Sequence, residues 1–304
     1  MPSKESFALE KLYRDWVAEM AANPSAGVDE LRKLFDHWGD VTAEPGGVDY
    51  LETEAGGVPA MWAVPKGALT DKVLLCSHGG GYVVGSMYTH RKLFGHIAKA
   101  VGCRALIVHY GRAPENLHPG PVNDMVKAYR WLLETQGFKS GDVAFTGDSA
   151  GGALAVTTMA AAREQGLPLP AASMPMSPWA GADTSGESYD TNAQRDALVS
   201  RATSGGLGGL FLGEKGDIKD PLANPLYTDY RGMPPIYIQV GEAETLLDDS
   251  RRMAERAKQA GVEIKIDLFQ DMQHVFHFLA GAAPEADDAI KRMAQWVRPK
   301  LGIA

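Results

Sequence analysis

Apolar residues recur at three- and four-residue spacings from the start of the chain. Leu9, Leu12, Tyr13, Trp16 and Met20 do so first, and Leu31, Leu34, Phe35 and Trp38 follow after Asn23-Pro24. A helix that buries one face has this period, so two helices are predicted within about residues 3–38. The period then drops to two. Residues 48–53 and 58–64 alternate around Ala55-Gly56-Gly57, as an antiparallel hairpin does. Beyond them, short apolar runs alternate with longer amphipathic stretches. Residues 72–77, 104–110, 143–146, 172–176 and 236–240 suit strands covered on both faces. Residues 262–269 alternate cleanly and predict a last strand. Val122, Met125, Val126, Tyr129, Leu132 and Leu133 form one helical stripe. Ala286, Ala289, Ile290, Met293, Trp296 and Val297 form another, near the C-terminus.

Eight strand candidates, the later ones alternating with helices, predict an α/β fold. The sheet is expected to be mostly parallel with an antiparallel start and helices on both faces, in one domain over residues 1–304. Residues 181–230 break the rhythm. They are rich in Gly, Ser and Asp and include Ser204-Gly205-Gly206-Leu207-Gly208-Gly209. An irregular insertion of that length is expected to be a lid or binding segment.

Composition narrows the function. A chain of 304 residues with 45% hydrophobic and 22% charged positions needs no disulfide or metal to hold a core. Its 30 Lys+Arg against 38 Asp+Glu give a net charge of −8, and no basic run interrupts it. Such a surface repels phosphate backbones and anionic lipid, which argues against a nucleic-acid partner. Cys76 lies in an apolar run and Cys103 beside another, so both are expected as reduced, buried thiols. No apolar stretch is long enough to span a bilayer, and Met1-Pro2-Ser3-Lys4-Glu5-Ser6 has no signal-peptide pattern. A cytoplasmic location is the expectation.

The sharpest local signal is Val143-Ala144-Phe145-Thr146 running into Gly147-Asp148-Ser149-Ala150-Gly151. A serine on a tight strand-to-helix turn is held in strained backbone, its hydroxyl raised above the sheet and helix N–H groups behind it. Gly-x-Ser-x-Gly alone arises about 0.2 times per chain of this composition, and a tight turn with a spectator serine is the plainer alternative. The flanking strand and helix weigh against that alternative. The second signal is His78-Gly79-Gly80-Gly81 after the strand at 72–77. Bare glycine amides there can converge on an oxyanion. A phosphate loop is disfavoured, because no Gly-Lys-Ser/Thr follows.

A serine nucleophile needs a base. Of the eight histidines, His274 lies just past the last strand, where a loop reaches the strand ends; His277 is the rival. His37, His90, His96, His109 and His118 read as structural or surface residues, and none has metal-ligand spacing. An acid to orient the base lies within Gly241-Glu242-Ala243-Glu244-Thr245-Leu246-Leu247-Asp248-Asp249. Spacing alone does not choose among Glu242, Glu244, Asp248 and Asp249, since helix-start carboxylates are favoured by the macrodipole anyway.

Together these motifs resemble the hormone-sensitive-lipase-like group of α/β-hydrolase esterases. His78-Gly79-Gly80-Gly81 is similar to that family's oxyanion motif, Gly147-Asp148-Ser149-Ala150-Gly151 to its nucleophile elbow, and His274-Val275-Phe276 to its H-x-F motif. Asp220-Pro221-Leu222-Ala223-Asn224-Pro225 resembles its loop ahead of the acid-bearing strand. The order nucleophile, acid, histidine is that of the fold. The resemblance covers about residues 40–300 and implies an α/β-hydrolase fold under a cap formed by about 1–40 and 181–230. It implies Glu244 as the acid, since Glu244-Thr245-Leu246-Leu247-Asp248 matches the family's Asp-x-Leu-x-x-Asp, with Glu at the first place. One departure stands out: Tyr110-Gly111-Arg112-Ala113-Pro114-Glu115 replaces Tyr-Arg-Leu-Ala-Pro-Glu, so the arginine has moved one position.

The implied activity is a serine carboxylesterase acting on small short- to medium-chain esters without a cofactor or metal. Ser149 would attack, His274 would move the proton, Glu244 would orient the ring, and the amides of Gly80, Gly81 and Ala150 would bind the oxyanion. The alternatives are a lactonase, an amidase or an acyltransferase with the same triad and, more remotely, a non-catalytic ligand-binding relative. Tyr82, Met87, Trp179, Leu207, Phe211 and Phe276 are candidate pocket walls. An edge strand at 262–269 would allow a homodimer.

Overall fold

A computed structural model describes residues 2–304. Its elements run in chain order as α1 (Phe7–Ala22), α2 (Val28–Phe35), β1 (Val48–Ala55), β2 (Val58–Pro65), β3 (Leu69–Ser77), α3 (Met87–Val101), β4 (Cys103–Val108), α4 (Gly120–Glu134), β5 (Val143–Asp148) and α5 (Ala150–Glu164). There follow β6 (Ala172–Met176), α6 (Ser188–Thr191), α7 (Arg201–Leu212), β7 (Ile236–Gly241), α8 (Leu247–Gln259), β8 (Ile264–Phe269) and α9 (Pro284–Val297).

The eight strands form one sheet in the order β1-β2-β4-β3-β5-β6-β7-β8. β1 and β2 pair antiparallel, as do β2 and β4, and every later pair is parallel. This is the α/β-hydrolase architecture expected from the alternation of short apolar runs with amphipathic stretches. Parallel strands need helical crossovers, and those helices cover both faces. One core layer packs α3 and α9 against the sheet, with α1 joining it through Leu9, Tyr13 and Trp16. The other packs α4, α5 and α8, with Val122, Met125, Val126, Tyr129 and Leu132 forming the buried stripe of α4. Cys76 and Cys103 are buried and unbonded.

Two expectations change. The strand expected at 104–110 stops at Val108, where His109 and Tyr110 begin a loop. The segment 181–230 is more ordered than its composition suggests, for α7 crosses its glycine run. Ser200 caps that helix, accepting from Thr203 N–H, and Gly208 lets it press on Ala182, where a Cβ would collide. A packing need thus overrides the poor helix propensity of glycine. Among the described residues no helix is long and apolar enough to cross a membrane.

Candidate active site

β5 ends at Asp148 and α5 starts at Ala150, which leaves Ser149 alone on the turn with φ 53° and ψ −121°. A serine rarely takes a positive φ, and the surroundings must hold it there. Its N–H donates to Met176 O at 2.9 Å, and its carbonyl accepts from Trp179 N–H at 3.0 Å. The turn is tight because Gly151 has no Cβ; one there would collide with the backbone oxygen of Ser77.

The parallel register sets Ser77 beside Gly147, so the glycine loop after β3 starts next to the elbow. Most of that loop is tied back. Gly79 N–H donates to Asp148 Oδ1 at 3.1 Å, Tyr110 O–H donates to the His78 carbonyl at 2.7 Å, and Gly80 O accepts from Val83 and Val84. Arg32 Nε donates to Val83 O at 3.0 Å, and the displaced Arg112 donates to Gly85 O at 2.7 Å. His78 itself stacks on Tyr110, its ring held neutral by burial well below the usual imidazole range. The amides of Gly80, Gly81 and Ala150 are not tied back and find no backbone acceptor among the described residues. Gly80 reaches this geometry at φ 107°, which requires glycine.

Past β8, His274 Nδ1 lies 2.9 Å from Glu244 Oε2. The other carboxylate oxygen accepts from Gly241 N–H at 2.6 Å and from the Ser177 hydroxyl at 2.7 Å. Burial pushes the Glu244 carboxyl up, against the pull of His274 and Ser177. Three donors converge on it, and an ionised carboxylate satisfies all of them. Burial pulls the His274 imidazole down, but the hydrogen bond and charge of Glu244 outweigh it and hold the ring above its ordinary value. His277 faces elsewhere: it contacts Gln239 Oε1 at 2.9 Å, and burial drops it to about 3.

Geometry thus separates the four carboxylates that spacing left open. Asp248 accepts from Ser188 N–H, and Asp249 is buried beneath the Ala180 amide. Glu242 is half-buried, and Asp220 pairs with His118 ahead of β7. Only Glu244 meets the imidazole.

Ser149, His274, Gly80 and Gly81 border one cavity of about 300 Å³. Among the described residues the His274 ring is bonded through Nδ1 to Glu244, and no hydrogen bond joins it to the Ser149 hydroxyl, a contact that in enzymes often tightens when substrate docks. Met20, Leu31, Phe35 and Trp38 wall the cavity from the N-terminal side, and Leu198, Val199, Thr203, Ser204, Leu207 and Leu210 from the segment 181–230. Among the described residues no Asp, Glu, Lys or Arg lines it.

Of the six expected wall residues, Trp179 and Leu207 border the cavity. The other four do not. Tyr82 and Phe211 stack on each other with ring centres 3.7 Å apart and so spend their faces. Phe276 packs on Phe269 and His277, and Met87 sits in the core at the start of α3. An aromatic near a motif is more often core than wall.

Sequence reasoning missed Ser177, His90 and Tyr13. Ser177 follows β6, and the carboxyl end of a parallel strand is where such sheets place ligands, so position was its signal. His90 was read as structural; its Nε2 lies 3.1 Å from Asp148 Oδ2, beside the Gly79 amide. Tyr13 was read as one more stripe residue, although a buried tyrosine hydroxyl needs a partner.

The family model of the alpha/beta hydrolase fold matches residues 74–278. An acetyl-hydrolase of Streptomyces hygroscopicus is 37% identical over 279 residues, covering 90% of this chain and 91% of that protein. An esterase of Acinetobacter venetianus is 34% identical over 230 residues, 75% of each. The crystal structure of an esterase from the bacterial hormone-sensitive lipase family superposes with a TM-score of 0.94 at 42% identity, covering 99% of this chain and 100% of that one. The chain therefore belongs to the α/β-hydrolase fold family, among the hormone-sensitive-lipase-like carboxylic ester hydrolases.

Proposed function

We propose that this ester hydrolase works through Ser149 as nucleophile, His274 as general base and acid, and Glu244 as the group that orients the imidazole. One observation carries the reading: a serine in forced backbone, an imidazole bonded to a buried carboxylate and unpaired glycine amides border the same cavity. Ser149 Oγ attacks the ester carbonyl as its proton passes to His274 Nε2. The tetrahedral oxyanion forms against the N–H groups of Gly80, Gly81 and Ala150. One such donor is worth about 2.7–4 kcal/mol of barrier. His274 then protonates the leaving alcohol, and the acyl group stays on Ser149. Water, activated by the same imidazole, releases the acid. Because Glu244 is bonded to Nδ1, Nε2 is the nitrogen that exchanges the proton.

The cap is assigned to about residues 1–40 and 181–230, whose side chains wall the cavity. An apolar lining without a formal charge favours neutral esters, and a volume of about 300 Å³ favours short to medium acyl chains. The acetyl-hydrolase among the relatives supports the short end. Ser149→Ala tests the assignment. Turnover of p-nitrophenyl acetate is expected to fall by about 10⁵–10⁶, and labelling by a fluorophosphonate to vanish. Near-normal turnover in that variant would refute the nucleophile.

A further inference from the structure

The Tyr13 hydroxyl in the middle of α1 donates to the main-chain carbonyl of His274 at 3.0 Å, 261 residues away along the chain. The same hydroxyl accepts from Trp38 Nε1 at 3.0 Å. Tyr13 is fully buried, so neither bond is shared with solvent. The loop bearing His274 is also held through its neighbours, by Gln273 to the Ala197 N–H and the Arg195 carbonyl and by the Met272 carbonyl to the Ala243 N–H, but the peptide unit that follows His274 has side-chain partners of its own. The next residue, Val275, takes φ 50°, and its N–H donates to Ser177 Oγ at 3.2 Å, the same hydroxyl that reaches Glu244. The carbonyl of His274 and the amide of Val275 belong to one peptide unit. Tyr13 holds one side of that unit and Ser177 the other, while Glu244 holds the ring.

We propose that Tyr13 is a positioning residue for the catalytic base: the cap helix α1, through the chain Trp38–Tyr13–His274, fixes the peptide plane that aims the imidazole at Ser149. The inference rests on the triad reading above. Trp38 also borders the cavity and stacks on Phe278, with ring centres 5.1 Å apart, so the chain spans from the substrate wall to the loop behind the base. Without the hydroxyl, the peptide unit can rock about the Ser177 bond, and the ring loses its alignment with both Glu244 and Ser149. Misplacement on the order of 1 Å costs about 10²-fold in rate.

The experiment is Tyr13→Phe, compared with Leu132→Ala, a substitution in α4 that removes packing from the core layer on the other face of the sheet and does not border the cavity. Acid limbs of kcat/KM are measured for p-nitrophenyl acetate, alongside kcat, KM and Tm. The charged groups around the imidazole are Glu244, with Asp196 and Asp148 further off, and no variant alters them. The expected result for Tyr13→Phe is a kcat roughly tenfold lower with KM within about twofold. Its acid limb moves down toward the ordinary imidazole value as the grip of Glu244 loosens. Leu132→Ala lowers Tm but leaves kcat and the limb in place. A Tyr13→Phe enzyme that matches Leu132→Ala in all three would overturn the proposal, leaving the hydroxyl a packing contact. Trp38→Phe keeps the phenol and removes its donor, and shifts the limb the same way by less. Should Tyr13→Phe fail to fold, the limb of Trp38→Phe alone decides, and an unmoved limb overturns the proposal. Failure of the triad reading looks different: Ser149→Ala would then remain active.

Discussion

The floor of the cavity and its walls are made by different means. The floor comes from loops that follow successive parallel strands: Gly80 after β3, Ser149 after β5, Ser177 after β6, Glu244 after β7 and His274 after β8. It is built of backbone held under constraint. Ser149, Ser177 and Val275 all have positive φ, at 53°, 44° and 50°. The walls come from α1, α2 and α7, which lie outside the sheet and meet the cavity through apolar side chains. A backbone site offers little that a side-chain change can adjust, whereas a side-chain wall can be altered one residue at a time. On the proposed reading, chemistry and selectivity are carried on separable parts, with Tyr13 as the place where they touch.

Substitutions in the floor should cost rate and those in the walls should cost discrimination. Glu244→Gln removes the charge that holds the imidazole while keeping its volume. A loss of about 10³–10⁴ in kcat is expected. The raised pKa of His274 depends on that charge, so the acid limb of kcat/KM should start above the ordinary imidazole value of about 6.5 and drop toward it in the variant. An unmoved limb would detach the carboxylate from the base.

Gly80→Ala comes next. At φ 107° an added Cβ would collide with the Val84 carbonyl, so the loop must move and its amide leave the proposed oxyanion site. Kinetics should show kcat lower by about 10²–10³ with little change in KM. By contrast Leu31→Trp, in the wall, narrows the cavity. The ratio of kcat/KM for octanoate to that for acetate should fall roughly tenfold, within the range a few methylenes are worth. Equal losses on both esters would break the division between floor and wall.

The smallest effect is on stability, at the seam. Asp249 at the start of α8 is buried under Ala180 and Tyr189, and burial pushes it up to about 8. In the unfolded chain it ionises near 3.9. Between those values the unfolded state releases a proton that the folded state keeps, so stability falls as pH rises from about 4 to 8. Asp249→Asn should flatten that slope and raise Tm by a few degrees at pH 8, measured by thermal melts across the range.

The sheet was readable because its strands are short apolar runs and its helices carry clean stripes; the period of each is a local property. The elbow and glycine loop were readable for the same reason, since each lies within a few consecutive residues after a strand. Glu244 was not singled out by spacing, because four carboxylates share its neighbourhood and only the resemblance chose among them. Tyr82, Met87, Phe211 and Phe276 were misplaced as walls because local sequence does not say which face of an aromatic is already covered. Glycines 205, 206, 208 and 209 hid α7 behind low propensity; the close approach to Ala182 that rewards one of them is a tertiary fact. Tyr13 was seen in its stripe, but nothing local reports a partner 261 residues away.

The pairing of Ser77 with Gly147 has a further consequence. Adjacent strands repeat at about 4.8 Å, and the glycine loop and the turn bearing Ser149 each leave the ladder at the same rung. The interval between the glycine loop and the proposed nucleophile is thus a ruler printed first by main-chain pairing, with the bond from Gly79 N–H to Asp148 Oδ1 as a side-chain mark beside it. Mutational drift can rewrite what enters the cleft while leaving that graduation untouched, which makes this scaffold a tolerant starting point for directed changes of substrate.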